Sequence, residues 1–82
     1  MKVEKVAQSR WDNDLWKNLG FGSIFSDHML IVNYKDGQWQ DPEIKPYGPL
    51  NILPSLHSLH YGQAIFEGMK AYKGPNDEVF LF

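Results

Sequence analysis

Apolar and polar positions fall in short clusters along the chain, and each cluster predicts its own element. Strand-forming residues run from His28 to Tyr34, stop at Lys35-Asp36-Gly37-Gln38, and resume at Trp39. Asp-Gly between two such runs predicts a β-hairpin, because the turn needs a positive φ that glycine tolerates. Four prolines follow, Pro42, Pro46, Pro49 and Pro54. Each removes a backbone donor and pushes its predecessor toward extended geometry, which predicts an extended crossing and excludes a long regular helix.

From Ser55 to Phe66 the pattern predicts a helix, with Gly68 as the breaker. At about 100° per residue, Leu59, Gly62 and Phe66 share one side while Tyr61 and Ile65 fall on a roughly opposite one. His60, Gln63 and Glu67 form a polar stripe between them, so the helix is expected to be buried on two sides. Met69 to Tyr72 then reads as a strand, Gly74-Pro75-Asn76-Asp77 as a turn, and Glu78 to Phe82 as the returning strand. Nearer the start, Asp12-Asn13-Asp14 predicts a cap over a short helical turn at Leu15, Trp16 and Leu19, ended by Gly20. Phe21, Ile24 and Phe25 gather around Gly22 as loop leading into strand. The expected fold class is α+β, a mostly antiparallel sheet with a helix.

Composition narrows the function classes. The chain has 82 residues, enough for one small domain or part of one. It has no cysteine, which removes disulfides, thiolate nucleophiles and every cysteine-based metal site. Eight Lys and Arg against ten Asp and Glu give a formal charge of -2, so no basic field suits nucleic acid. The only arginine is Arg10. No apolar run reaches membrane length and no leader-like core follows Met1, which points to a cytoplasmic protein without a membrane partner. The chain stops at Val79-Phe80-Leu81-Phe82, a bare apolar edge expected of a chain cut in mid-strand.

Several residues invite chemistry, and each has a plainer role. His57 and His60 sit three apart, but zinc needs a third protein ligand, for which Glu67 is a poor candidate; no metal site is expected. Gly20-Phe21-Gly22 lacks the third glycine of a dinucleotide loop, since position 25 is Phe. Lys70 and Lys73 flank a half-exposed strand, whereas a Schiff-base lysine needs a desolvated or electropositive pocket. Glu67 has no evident partner for acid–base work. Tyr61 and Phe66 read first as packing residues, although a buried tyrosine hydroxyl wants a partner. Aimed to opposite sides of one helix, they would serve two pockets, an arrangement that suits a symmetric dimer.

Two ordered motifs carry a family resemblance. Phe21-Gly22-Ser23-Ile24-Phe25-Ser26-Asp27-His28-Met29 is followed by Leu59-His60-Tyr61-Gly62-Gln63-Ala64-Ile65-Phe66-Glu67-Gly68-Met69-Lys70-Ala71-Tyr72, with Ile44-Lys45-Pro46 between. Together they resemble the N-terminal part of branched-chain amino-acid aminotransferases, pyridoxal-phosphate enzymes of the D-amino-acid-aminotransferase-like fold (fold type IV). Tyr-Gly-x-x-x-Phe-Glu alone would be shared with D-amino-acid aminotransferases and aminodeoxychorismate lyases. The resemblance implies that residues 1–82 are an incomplete small N-terminal domain, with the large cofactor-binding domain outside this chain. It implies that Phe21, Tyr61 and Phe66 wall a pocket for the side chain of leucine, isoleucine or valine, and that Tyr61 turns its hydroxyl toward the polar end of the substrate. It further implies a homodimer, ping-pong transamination with 2-oxoglutarate, and pyridoxal phosphate held by a lysine and an arginine beyond Phe82. No catalytic, cofactor-binding or metal-binding residue is then expected in this chain, which alone should be inactive. The rival from another class is a free-standing α+β interaction module pairing through its Val79–Phe82 edge.

Overall fold

A computed structural model describes residues 1–81, with the side chains of Asn13 and Trp16 left aside. Phe82, the predicted last residue of the final strand, lies outside the described residues. The chain divides into two units, Met1–Leu50 and Asn51–Phe82.

The first unit is built around a three-stranded sheet. β1 (Lys2–Val3), β5 (Glu43–Pro46) and β2 (His28–Ile31) lie in the order β1-β5-β2. β1 runs parallel to β5 and β2 antiparallel to it, with His28 opposite Pro46 and Ile31 opposite Glu43. Pro46 therefore falls at the strand end, where its missing donor disturbs the ladder least. The extended geometry expected of the proline-rich segment is realised in β5.

Between β2 and β5 stands the predicted hairpin, β3 (Tyr34–Lys35) paired with β4 (Gln38–Trp39). Asp36 and Gly37 take φ of 55° and 78°, the two positive values that a primed two-residue turn needs. Tyr34 and Trp39 meet edge to face at 5.1 Å, a cross-strand aromatic pair that fixes the register. The predicted strand His28–Tyr34 is divided, however. Its first part bonds to β5, and after Val32-Asn33 the chain turns to pair with Trp39, with Gln40 N–H returning to the Asn33 carbonyl at 2.7 Å.

Ahead of β2 a 3-10 helix spans Asn13–Lys17. The Asp12 carboxylate accepts from the Asp14 backbone N–H at 2.9 Å, as its place before the turn predicts.

In the second unit the helix departs from expectation. α1 (His57–His60) is a single turn, and the chain from Gly62 to Lys70 forms neither helix nor strand. Gly62 takes a φ of 60°, which leads the backbone out of the helical path directly after the Tyr61 N–H bonds the His57 carbonyl. The N-cap residue, Leu56, offers no side-chain acceptor, and so short a helix has little intrinsic stability. The predicted helix from Ser55 to Phe66, its polar stripe and its two buried sides are corrected accordingly.

The remaining hairpin forms where predicted, with its first strand starting at Ala71 in place of Met69 and its second at Val79 in place of Glu78. β6 (Ala71–Lys73) and β7 (Val79–Leu81) pair antiparallel, with Tyr72 opposite Phe80. Their turn is closed by Gly74 N–H to the Glu78 carbonyl at 2.7 Å and by an ion pair of Lys73 with Asp77 at 3.1 Å. A Cβ at Gly74 would stand 2.9 Å from the Phe80 ring, so glycine is what lets that ring lie against the turn. Among the described residues none is fully buried, and no helix is long and apolar enough to cross a membrane.

Candidate functional site

Phe21 stands between two glycines. Gly20 and Gly22 take φ of 65° and 73°, left-handed values that L side chains rarely adopt. The Phe21 ring between them is 103% exposed. Its aromatic face is open to solvent.

Tyr61 and Phe66 lie in the second unit, on the segment that leaves α1. Tyr61 meets His57 edge to face at 5.7 Å and is 81% exposed. Gly62 accepts from the Ala64 N–H at 2.9 Å, a tight turn that separates Tyr61 from Phe66. Phe66 is 94% exposed. Tyr61 and Phe66 therefore sit on irregular chain after α1 instead of on opposite faces of one helix. Phe21 is carried by the other unit. All three are exposed aromatic side chains.

Both histidines make local contacts. His57 Nδ1 lies 2.9 Å from the Gln63 side-chain oxygen, and His60 Nε2 lies 2.5 Å from the Pro54 carbonyl. Both rings thus tie the α1 turn to its own flanks. Among the described residues no three His, Asp or Glu side chains come close enough to share a metal ion.

The first unit also holds an arrangement that sequence reading missed. Arg10, Trp11, Leu15, Ile24, Phe25, Ser26 and Asp27 line an open cavity of about 390 Å³. Arg10 donates to the Phe25 carbonyl at 3.3 Å and to the Ser26 carbonyl, and its Nε lies 3.6 Å from Asp27. The Asp27 carboxylate accepts from the Ser9 hydroxyl at 2.5 Å and from the Arg10 backbone N–H at 2.8 Å. These bonds, led by that of Ser9, hold the Asp27 carboxyl below its ordinary pKa. The one signal that could have found this cluster is that Arg10 is the only arginine.

The described residues do not fit pyridoxal phosphate. Lys70 is exposed, and Lys73 is 70% exposed and paired with Asp77, so neither has the dry surroundings that activate an amine. The Arg10 guanidinium is occupied by backbone carbonyls and Asp27 and is not offered to a phosphate.

Comparison with known proteins gives a consistent answer. No family model matches the chain. A probable branched-chain-amino-acid aminotransferase of Staphylococcus epidermidis is 58% identical over 66 residues, 79% of this chain and 18% of that protein. Branched-chain-amino-acid transaminase 1 of Bacillus subtilis is 48% identical over 66 residues, again 79% of this chain and 18% of the relative. A probable branched-chain-amino-acid aminotransferase of Staphylococcus aureus is 52% identical over 65 residues, covering 78% of this chain and 18% of its own length. The chain thus spans less than a fifth of the length of these curated relatives. By sequence, then, the chain is a homologue of the N-terminal portion of the branched-chain-amino-acid aminotransferases.

Proposed function

We propose that this chain supplies part of the substrate face of an aminotransferase acting on leucine, isoleucine and valine with 2-oxoglutarate as amino acceptor. The observation that carries the reading is the 58% identity over 79% of the chain to a relative named a probable branched-chain-amino-acid aminotransferase. Phe21 in the first unit and Tyr61 and Phe66 in the second are each exposed aromatic side chains of the kind such a face uses. Against a branched aliphatic side chain such rings displace water from both surfaces, and enclosing a leucine-sized group is worth about 1.5–3 kcal/mol. The Tyr61 hydroxyl directs a polar contact to the other end of the substrate. Pyridoxal phosphate supplies the electron sink of this reaction class, and it is assigned to residues beyond Phe82. The active protein is a cytoplasmic homodimer.

The test uses the protein expressed from its complete reading frame. Leucine-dependent formation of glutamate from 2-oxoglutarate is expected. Phe66→Ala should raise the KM for leucine by about tenfold, because a lost apolar contact weakens binding by that order. A well-folded dimer that forms no glutamate from any of the three amino acids would defeat the proposal. The 82-residue chain alone is expected to form no borohydride-reducible adduct with pyridoxal phosphate. A stoichiometric adduct on Lys70 or Lys73 would contradict the assignment of the cofactor elsewhere.

A further inference from the structure

We propose that Arg10 and Asp27 form a positioning clip, which holds the loop carrying Phe21 and so sets the affinity for the substrate's apolar side chain. The inference rests on the role proposed for Phe21. Residues 18–27 contain neither helix nor strand. Two left-handed glycines flank Phe21, and glycine is the residue whose backbone is least restricted. Local backbone preference therefore does not fix the ring. Restraint enters from the far end of the loop.

Arg10 grips the carbonyls of Phe25 and Ser26, two successive peptide groups, with one guanidinium nitrogen. Its Nε faces Asp27 at 3.6 Å, while the Arg10 backbone N–H and the Ser9 hydroxyl occupy the two oxygens of the same carboxylate. The planar fork of arginine can serve the carbonyls and the carboxylate together, which the single ammonium of lysine cannot. Asp27 is in turn tied to the end of β5, since its carbonyl accepts from the Tyr47 N–H at 2.9 Å. Phe25 stacks on Tyr47 at 5.1 Å, and the Arg10 guanidinium lies 5.6 Å from the centre of that same Tyr47 ring. The loop is thereby fastened at Phe25–Asp27 to the sheet, leaving Phe21 on a short free arm.

The experiment compares wild type, Arg10→Gln and Arg10→Lys in the protein expressed from its complete reading frame. Two readouts are taken, leucine kinetics and amide hydrogen exchange. Both variants should raise the leucine KM by about tenfold with kcat held within about twofold, as expected for misplacement of a binding group. Exchange across residues 20–27 should quicken while Met29–Ile31 and Ile44–Lys45 keep their protection. Lysine retains the charge and loses the fork, so a Lys variant that behaves as wild type overturns the clip. An unchanged leucine KM, or unchanged exchange in the loop, overturns it as well. Should Arg10→Gln lose protection in the sheet, Arg10→Lys decides alone. Wild-type protein inactive toward leucine would overturn the proposed function instead, and the exchange comparison would still decide whether the clip holds the loop.

Discussion

The Asp27 carboxylate is stabilised by the Ser9 hydroxyl and then by the Arg10 backbone N–H; partial removal from water opposes them, and the Arg10 and His28 charges add smaller support. Its folded pKa lies below the ordinary value of 3.8, so its bonds favour the native state above that value. As pH falls through the folded pKa the carboxylate takes up a proton and this stabilisation disappears. The Arg10 amide resonance should therefore titrate with a midpoint below 3.8, and Asp27→Asn should abolish the step. A midpoint at or above 3.8 would remove the basis of the assignment. At this scale the sequence was only partly readable. Asp12 announced its cap through the residues that follow it, because capping is local. Arg10 and Asp27 are separated by 17 positions, and no spacing rule joins them. Phe21, Tyr61 and Phe66 were named through their motifs, whereas their near-complete exposure required coordinates.

Local physics also divides the elements that could be read from those that could not. The hairpin at Asp36-Gly37 and the β6–β7 turn each depend on a few adjacent residues, and both form where turn chemistry indicates. The helix expected over Ser55–Phe66 was read from apolar spacing alone. Spacing indicates which faces a helix would show but does not supply a cap or remove Gly62. A Cβ at Gly62 would meet nothing within 4 Å, so the effect of substitution lies in the backbone. Gly62→Ala disfavours the φ of 60° and also removes glycine's helix penalty of about 1 kcal/mol. Both effects act in the same direction. The variant should extend α1 toward Phe66, seen as increased helical circular dichroism. An unchanged spectrum would show that Gly62 does not stop the helix.

For the whole molecule, the decisive property is that no described residue is fully buried. Burial of apolar area is the main term that offsets chain entropy. The 82-residue chain alone should accordingly bind an apolar dye such as ANS and unfold in urea with an m-value below about 1 kcal/mol/M, under the range of small cooperative domains. Sharp, cooperative unfolding without dye binding would show that the chain builds a core of its own. The α+β class was legible because its strands announce themselves locally. The parallel pairing of β1 with β5 was not, since Lys2 and Glu43 meet only through the sheet. That pairing has a consequence during synthesis. The hairpin can close once Trp39 has left the ribosome, but β1 must wait for Glu43 and Ile44. At about 5–20 residues per second, β1 and β2 both stay unpaired in this sheet until β5 has been made. The central strand of this sheet is the last of the three to be made, and its arrival secures both neighbours together.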